Sequence, residues 1–209
     1  MRFIVRITLA ASLALLPFQM AGALVAGTYN IRYDNPGDVE KGNSWQQRAP
    51  VIAGLIRFHE FDVLGTQEAF HHQLLDLQKL LPDYAYVGCG RDDGKEAGEH
   101  AAIFYRKDKF TLLDSGTFWL SQTPEKPGKG WDADLPRICT WAKLRKNGDG
   151  KVLFAFNTHF DHRGVQARLE SARLIVARIR EIAKDEPVIL TGDFNVDQTS
   201  ESYGSLHDS

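Results

Sequence analysis

Pro187-Val188-Ile189-Leu190-Thr191-Gly192-Asp193-Phe194-Asn195 is the stretch that decides the fold. Its apolar run reads as a short buried strand, and at the strand's end an acid and an amide follow, separated by one aromatic residue. Strand ends are where layered sheets build sites, because rigid backbone there aims side chains into a shared crevice.

Outward from this strand the pattern alternates. Residues 165–184 place Leu169, Ala172, Leu174, Ile175, Ile179 and Ile182 on one helical face. Residues 137–144 and 151–159 predict a hairpin across Asn147-Gly148-Asp149-Gly150. Residues 121–135 are rich in proline and glycine and read as loop, whereas 84–88, 101–106 and 110–119 read as strands. Further upstream lie a helix over 71–81 stopped by Pro82, a second buried strand over 61–66, and a helix from the Ser44 cap to about Phe58. That last helix is expected to use Val51, Ile52, Leu55 and Ile56 as its apolar face, and 24–32 is the first strand. The tail to Ser209 reads as polar loop. Short strands alternating with longer helices predict an α/β chain rather than a bundle or an all-β sandwich.

Composition sets the limits. With 209 residues, 43% hydrophobic and 11% aromatic, one globular domain over 24–209 is expected. Residues 1–23 differ from the rest. Arg2 and Arg6 precede an apolar run from Ile7 to Phe18, too short for the roughly 20 residues that span a bilayer, and Ala21-Gly22-Ala23 suits signal peptidase. A cleaved signal peptide is the reading, and with it a secreted or periplasmic protein. Without Arg2 and Arg6 the 27 acidic residues outnumber the basic ones further, which is unlike the basic footprint of a tight nucleic-acid binder. Export makes a Cys89–Cys139 disulfide chemically possible, but Cys139 lies in a strand-like run and a buried free thiol is the preferred reading.

Asn30, Glu68, His159, Asp193 and Asn195 recur where strands end. Any one of them alone would be read as a turn or helix cap. Together their oxygens suit a hard cation such as Mg²⁺ or Mn²⁺ better than Zn²⁺. A zinc-hydrolase alternative attaches to Thr158-His159-Phe160-Asp161-His162, although the first His of that known run is Asn157 here. The adjacent His71 and His72 read as solvated, Trp131 as a loop residue able to meet substrate, and the run from Gly88 to Gly94 as a turn.

Gly192-Asp193-Phe194-Asn195 and Gln67-Glu68, with Tyr29-Asn30-Ile31-Arg32, Gly98-Glu99-His100, Pro136-Arg137 and Asn157-Thr158-His159 in that family's order, resemble the endonuclease/exonuclease/phosphatase superfamily. The resemblance implies the DNase I-like fold, an α/β (α+β) four-layer sandwich of two packed mixed β-sheets flanked by helices. It also implies roles. Glu68 would bind the cation with Asn30 beside it, Asp193 would orient or deprotonate water, and Asn195 would donate to the scissile phosphate. His159 would contact phosphate oxygens with Glu99 orienting its ring and favouring the imidazolium, and Arg137 would contact a phosphate as a forked donor. The substrate would be a phosphoester, whether nucleic acid, lipid or sugar phosphate. No stable protein partner is implied, and a monomer is expected.

Members of the superfamily finish with a Ser-Asp-His motif, whereas Leu206-His207-Asp208-Ser209 has the wrong order. The expectation is therefore a member incomplete at its C-terminus, either a hydrolase impaired as it stands or a non-catalytic remnant of the fold.

Overall fold

The computed structural model describes residues 23–207, so the signal-peptide reading falls outside the described residues except for Ala23. Among the described residues no helix is long and apolar enough to cross a membrane. In chain order the elements are β1 (Ala26–Asn30), α1 (Trp45–His59), β2 (Val63–Ala69), α2 (His71–Leu80), β3 (Tyr84–Val87), β4 (His100–Arg106) and β5 (Phe110–Trp119). They continue with β6 (Ile138–Lys146), β7 (Val152–His159), α3 (Val165–Ala183), β8 (Val188–Asp193) and α4 (Glu201–His207). One sheet runs β1-β2-β4-β3 and the other β5-β6-β7-β8, each mixing parallel and antiparallel pairs.

Three apolar layers hold the sandwich together. Trp45, Ile52, Ile56, Leu74 and Leu77 of α1 and α2 pack on Leu64 and Phe104 of the first sheet. Ala172 and Ile175 of α3 pack on Phe154 and Phe156 of the second. Between the sheets lie Val63, Ile103, Tyr105, Phe110, Leu144 and Ala155. Helix, sheet, sheet, helix is the four-layer fold that the resemblance implied.

Two local expectations are corrected. The buried face of α1 is Trp45, Ala49, Ile52, Ala53 and Ile56, a true 3.6-residue stripe, while Val51 is 68% exposed. The tail is not all loop: α4 forms and docks on α3 through the Arg173–Glu201 ion pair at 3.1 Å and through Leu206, which packs into the second core.

A buried polar seam joins the two sheets. Asn157 on β7 is fully buried, and its Nδ2 donates to the carbonyls of Thr66 (2.8 Å) and Ala102 (3.0 Å) in the opposite sheet. Its Oδ1 accepts from Gln67 Nε2 at 2.7 Å, with Thr191 Oγ1 3.1 Å away. Gly65 permits this approach, because a Cβ there would collide with Thr191 Oγ1 and the Asn157 amide. Both cysteines are free thiols, and burial pushes the Cys139 thiol well above its ordinary range.

Candidate active site

Strand polarity gathers the candidates at one end of the sandwich. β1 and β2 run parallel and end at Asn30 and at Glu68-Ala69, while antiparallel β4 begins there, just after Glu99. In the second sheet the parallel β7 and β8 end side by side, His159 opposite Asp193, and β6 begins there, just after Arg137. Glu68 sits in a β-bulge between Thr66 and Ala69 with φ of 68°, so the irregularity re-aims its side chain.

One amide links the two carboxylates. Asn30 Nδ2 donates to Glu68 Oε1 at 2.7 Å and to Asp193 Oδ2 at 2.9 Å, across the two sheets. The Asn30 oxygen accepts from the Arg32 backbone N–H at 2.9 Å, so Asn30 stands beside Glu68 as a donor rather than offering its oxygen there. Glu68 Oε2 accepts from the Tyr33 backbone N–H at 3.2 Å. Asp193 Oδ1 accepts from the Asn195 N–H at 3.2 Å, and Asn195, with φ of 49°, turns its Nδ2 to the Phe160 carbonyl at 3.0 Å. Asn30, Asp193 and Asn195 open on a crevice of about 770 Å³ lined also by Thr28, Gln67 and Tyr203.

Mg²⁺ commonly takes one or two carboxylates and keeps waters, which Glu68 in this oxygen-rich setting suits. A zinc centre needs three or four converging ligands, and among the described residues no three His, Cys, Asp or Glu side chains are so grouped. The cluster behind the zinc alternative is otherwise engaged. Asp161 accepts from the N–H groups of Leu135 (3.2 Å), Arg163 (3.0 Å) and Gly164 (2.8 Å). Burial works to raise its carboxyl, but these backbone donors hold it well below the usual carboxylate range.

His159 lies between acids, with Nε2 3.9 Å from Asp193 Oδ2 and Nδ1 3.8 Å from Glu99 Oε2. Burial first and the Arg137 charge second push its pKa down to about 4, against the pull of Asp193 and Glu68. The ring is therefore neutral at neutral pH, which corrects the expected imidazolium. Glu99 has its own partner: Arg91 Nη1 and Nη2 fork onto both its oxygens at 2.7 and 3.1 Å. Burial raises the Glu99 carboxyl while Arg91 and Arg137 lower it.

Arg137 is also placed differently from the expectation. It is only 4% exposed, held by Asp161 Oδ2 at 3.4 Å and His162 Nδ1 at 3.2 Å. Instead of the crevice, it lines a small cavity with Arg91, Glu99, His100 and His159. Burial and the neighbouring Arg91 lower its pKa. The structure thus gathers Asn30, Asp193 and Asn195 at the crevice with Glu68 bonded to Asn30 beside it, and sets His159, Glu99 and Arg137 around a separate small cavity.

Sequence reasoning missed Arg91, hidden in a run read as a turn, and the Gln67–Asn157 pair, whose partners lie 90 residues apart. The adjacent histidines tie loops together: His72 meets Asp34 at 3.0 Å, and His71 stacks on His100.

Comparison with known proteins agrees with this fold. The profile of the Endonuclease/Exonuclease/phosphatase family matches residues 27–208. An endonuclease/exonuclease/phosphatase family protein from Bacteroides thetaiotaomicron superposes with a TM-score of 0.87 at 51% identity, over 88% of this chain and 68% of that one. The Bacteroides thetaiotaomicron mannosyl-6-phosphatase gives 0.87 and 51% over 89% and 70%. An uncharacterized protein of Acanthamoeba polyphaga mimivirus is 30% identical over 73% of this chain, which spans 60% of that protein's length. The chain belongs to the endonuclease/exonuclease/phosphatase family of phosphoester hydrolases.

Proposed function

We propose that the protein is an exported, monomeric, Mg²⁺- or Mn²⁺-dependent phosphoester hydrolase acting on a sugar phosphate. The observation that carries this reading is the Asn30 amide bridging Glu68 and Asp193, with His159 3.9 Å from Asp193. The sugar-phosphate choice draws on the 51% identity to a mannosyl-6-phosphatase and on the excess of acidic residues, which disfavours polyanionic nucleic acid. Export draws on the composition of residues 1–23.

A divalent cation held by Glu68, with Asn30 beside it, would polarise a phosphoryl oxygen and offset the charge developing there. The chain's own groups do the rest. Asp193 is tethered at both oxygens, which fixes it to orient a water and take its proton. Asn195 retains a second amide proton beyond the one given to Phe160, and a neutral amide can donate it to a phosphoryl oxygen without charge repulsion. His159, neutral and 12% exposed, supplies a ring nitrogen beside Asp193.

A panel of mannose 6-phosphate, other sugar phosphates, bis-p-nitrophenyl phosphate and single-stranded RNA and DNA, each with Mg²⁺ or Mn²⁺ and with EDTA, tests this. Hydrolysis of sugar monophosphates above the others, abolished by EDTA, is expected. Glu68→Gln is expected to cost on the order of 10³-fold in rate and to weaken Mn²⁺ binding measured by calorimetry. A nucleic-acid preference, or full activity in EDTA, would overturn the assignment.

A further inference from the structure

We infer that Arg91, on the loop between β3 and β4, is a positioning residue of this site, acting on His159 through Glu99. The inference deepens the hydrolase reading and rests on it. Arg91 meets both oxygens of Glu99 in a fork, which fixes the plane of the carboxylate as well as its place. The oxygen at the shorter contact, Oε2, is the one 3.8 Å from His159 Nδ1.

Arg91 is itself fixed at its backbone. Its N–H donates to the Glu99 carbonyl at 3.1 Å, and its carbonyl accepts from the Trp119 indole at 2.7 Å. The loop folds back on itself through the Gly90–His100 bridge and the Asp92 N–H to Ala97 carbonyl bond at 3.1 Å. Gly98, with φ of +82°, completes the turn at a place where a Cβ would strike the Asp92 carboxylate. A loop so tied delivers one guanidinium to one carboxylate, and the Arg91 side chain is only 11% exposed there.

The remaining donors of this group converge. Arg91 Nε, Arg137 Nη1, His100 Nδ1 and His159 Nδ1 are buried without a hydrogen-bond partner, and their four side chains line the same small space of about 10 Å³, room for one water. Around His159 the charged groups are thus Glu99 and Arg91 from the loop, Arg137 ahead of β6, Asp193 on β8 and Glu68 on β2. A lysine in place of Arg91 would keep the charge but could neither fork onto Glu99 nor reach the shared space with a second donor.

Arg91→Lys tests the inference. It is expected to lower kcat roughly 10–100-fold with KM changed less than about 2-fold, the size of loss typical when a supporting partner of a site residue is removed. The double variant with Glu99→Gln should be no slower than Glu99→Gln alone, because both act on His159 by one route. A second readout is independent of turnover: ¹⁵N NMR of the His159 ring in metal-free protein, with the ring resonances shifted or broadened in Arg91→Lys at unchanged Tm. Gly98→Ala, which displaces the loop without replacing a charged residue, is expected to perturb the same resonances and keeps the test open if Arg91→Lys misfolds. Unaltered His159 resonances, or losses that multiply in the double variant, would overturn the inference. A wild-type chain inactive on every phosphoester would defeat the hydrolase reading alone, since the ring spectra still decide the role of Arg91.

Discussion

At the scale of single residues, the site is governed by which charges are already matched. Glu99 is forked by Arg91, so its negative charge is matched before it reaches His159, and burial with the Arg137 charge keeps that imidazole neutral. The folded pKa of about 4 lies below the ordinary value of 6.5, so the folded state refuses a proton that the unfolded chain accepts. Stability from this source is full above pH 6.5, declines as pH falls toward 4 and then levels off. The loss is on the order of 3 kcal/mol across that window. Urea melts at pH 7 and pH 4.5 in EDTA are expected to show a smaller drop for His159→Gln than for the wild type. His100, also lowered by burial, contributes equally to both proteins. Equal drops would mean that His159 titrates normally. The motif residues were legible in the sequence because each sits at one end of a recognisable strand, but their charge states were not. Those depend on Arg91 and Arg137, which approach from segments that look like turns and loops.

At the scale of elements, periodicity gave strands and helices nearly to their ends, since apolar spacing and the Pro82 stop report directly on burial. Where it failed, local letters misled. In α1 the adjacent Val51, Ile52, Leu55 and Ile56 suggest a broad face, yet the buried stripe depends on small Ala49 and Ala53 and on Trp45, whose indole donates to Asp76 of α2 at 3.0 Å. Ile56→Ala is therefore expected to cost about 2–5 kcal/mol in denaturant melts, and Val51→Ala less than about 0.5 kcal/mol. Comparable costs would return Val51 to the core. The helix α4 had no apolar period to announce it, because its seven residues include Gly204 and are mostly polar. Docking on α3, not intrinsic propensity, accounts for it.

At the scale of the whole molecule, the candidate site is an assembly of two sheets. Asn30, Glu68 and Glu99 belong to one and His159, Asp193 and Asn195 to the other, with Asn157 bonded across the seam beneath them. No sequence period encodes a pairing 90 residues apart, so the seam emerges only from the packed fold. Asn157→Leu removes one buried hydrogen bond from each of the Thr66 carbonyl, the Ala102 carbonyl and the Gln67 amide, at about 1–1.5 kcal/mol each. A loss of 3 kcal/mol or more is expected by chemical denaturation, with activity falling further than the folded fraction. Activity that merely tracks folding would show the seam to be structural only. Because the Asn30–Asp193 bond and the Asn157 bonds all cross this join, the spacing of the candidate site residues is set by how the two sheets lie on each other. A small change in that alignment would lengthen the contacts from Asn30 to Glu68 and Asp193 before it disturbed the core of either layer.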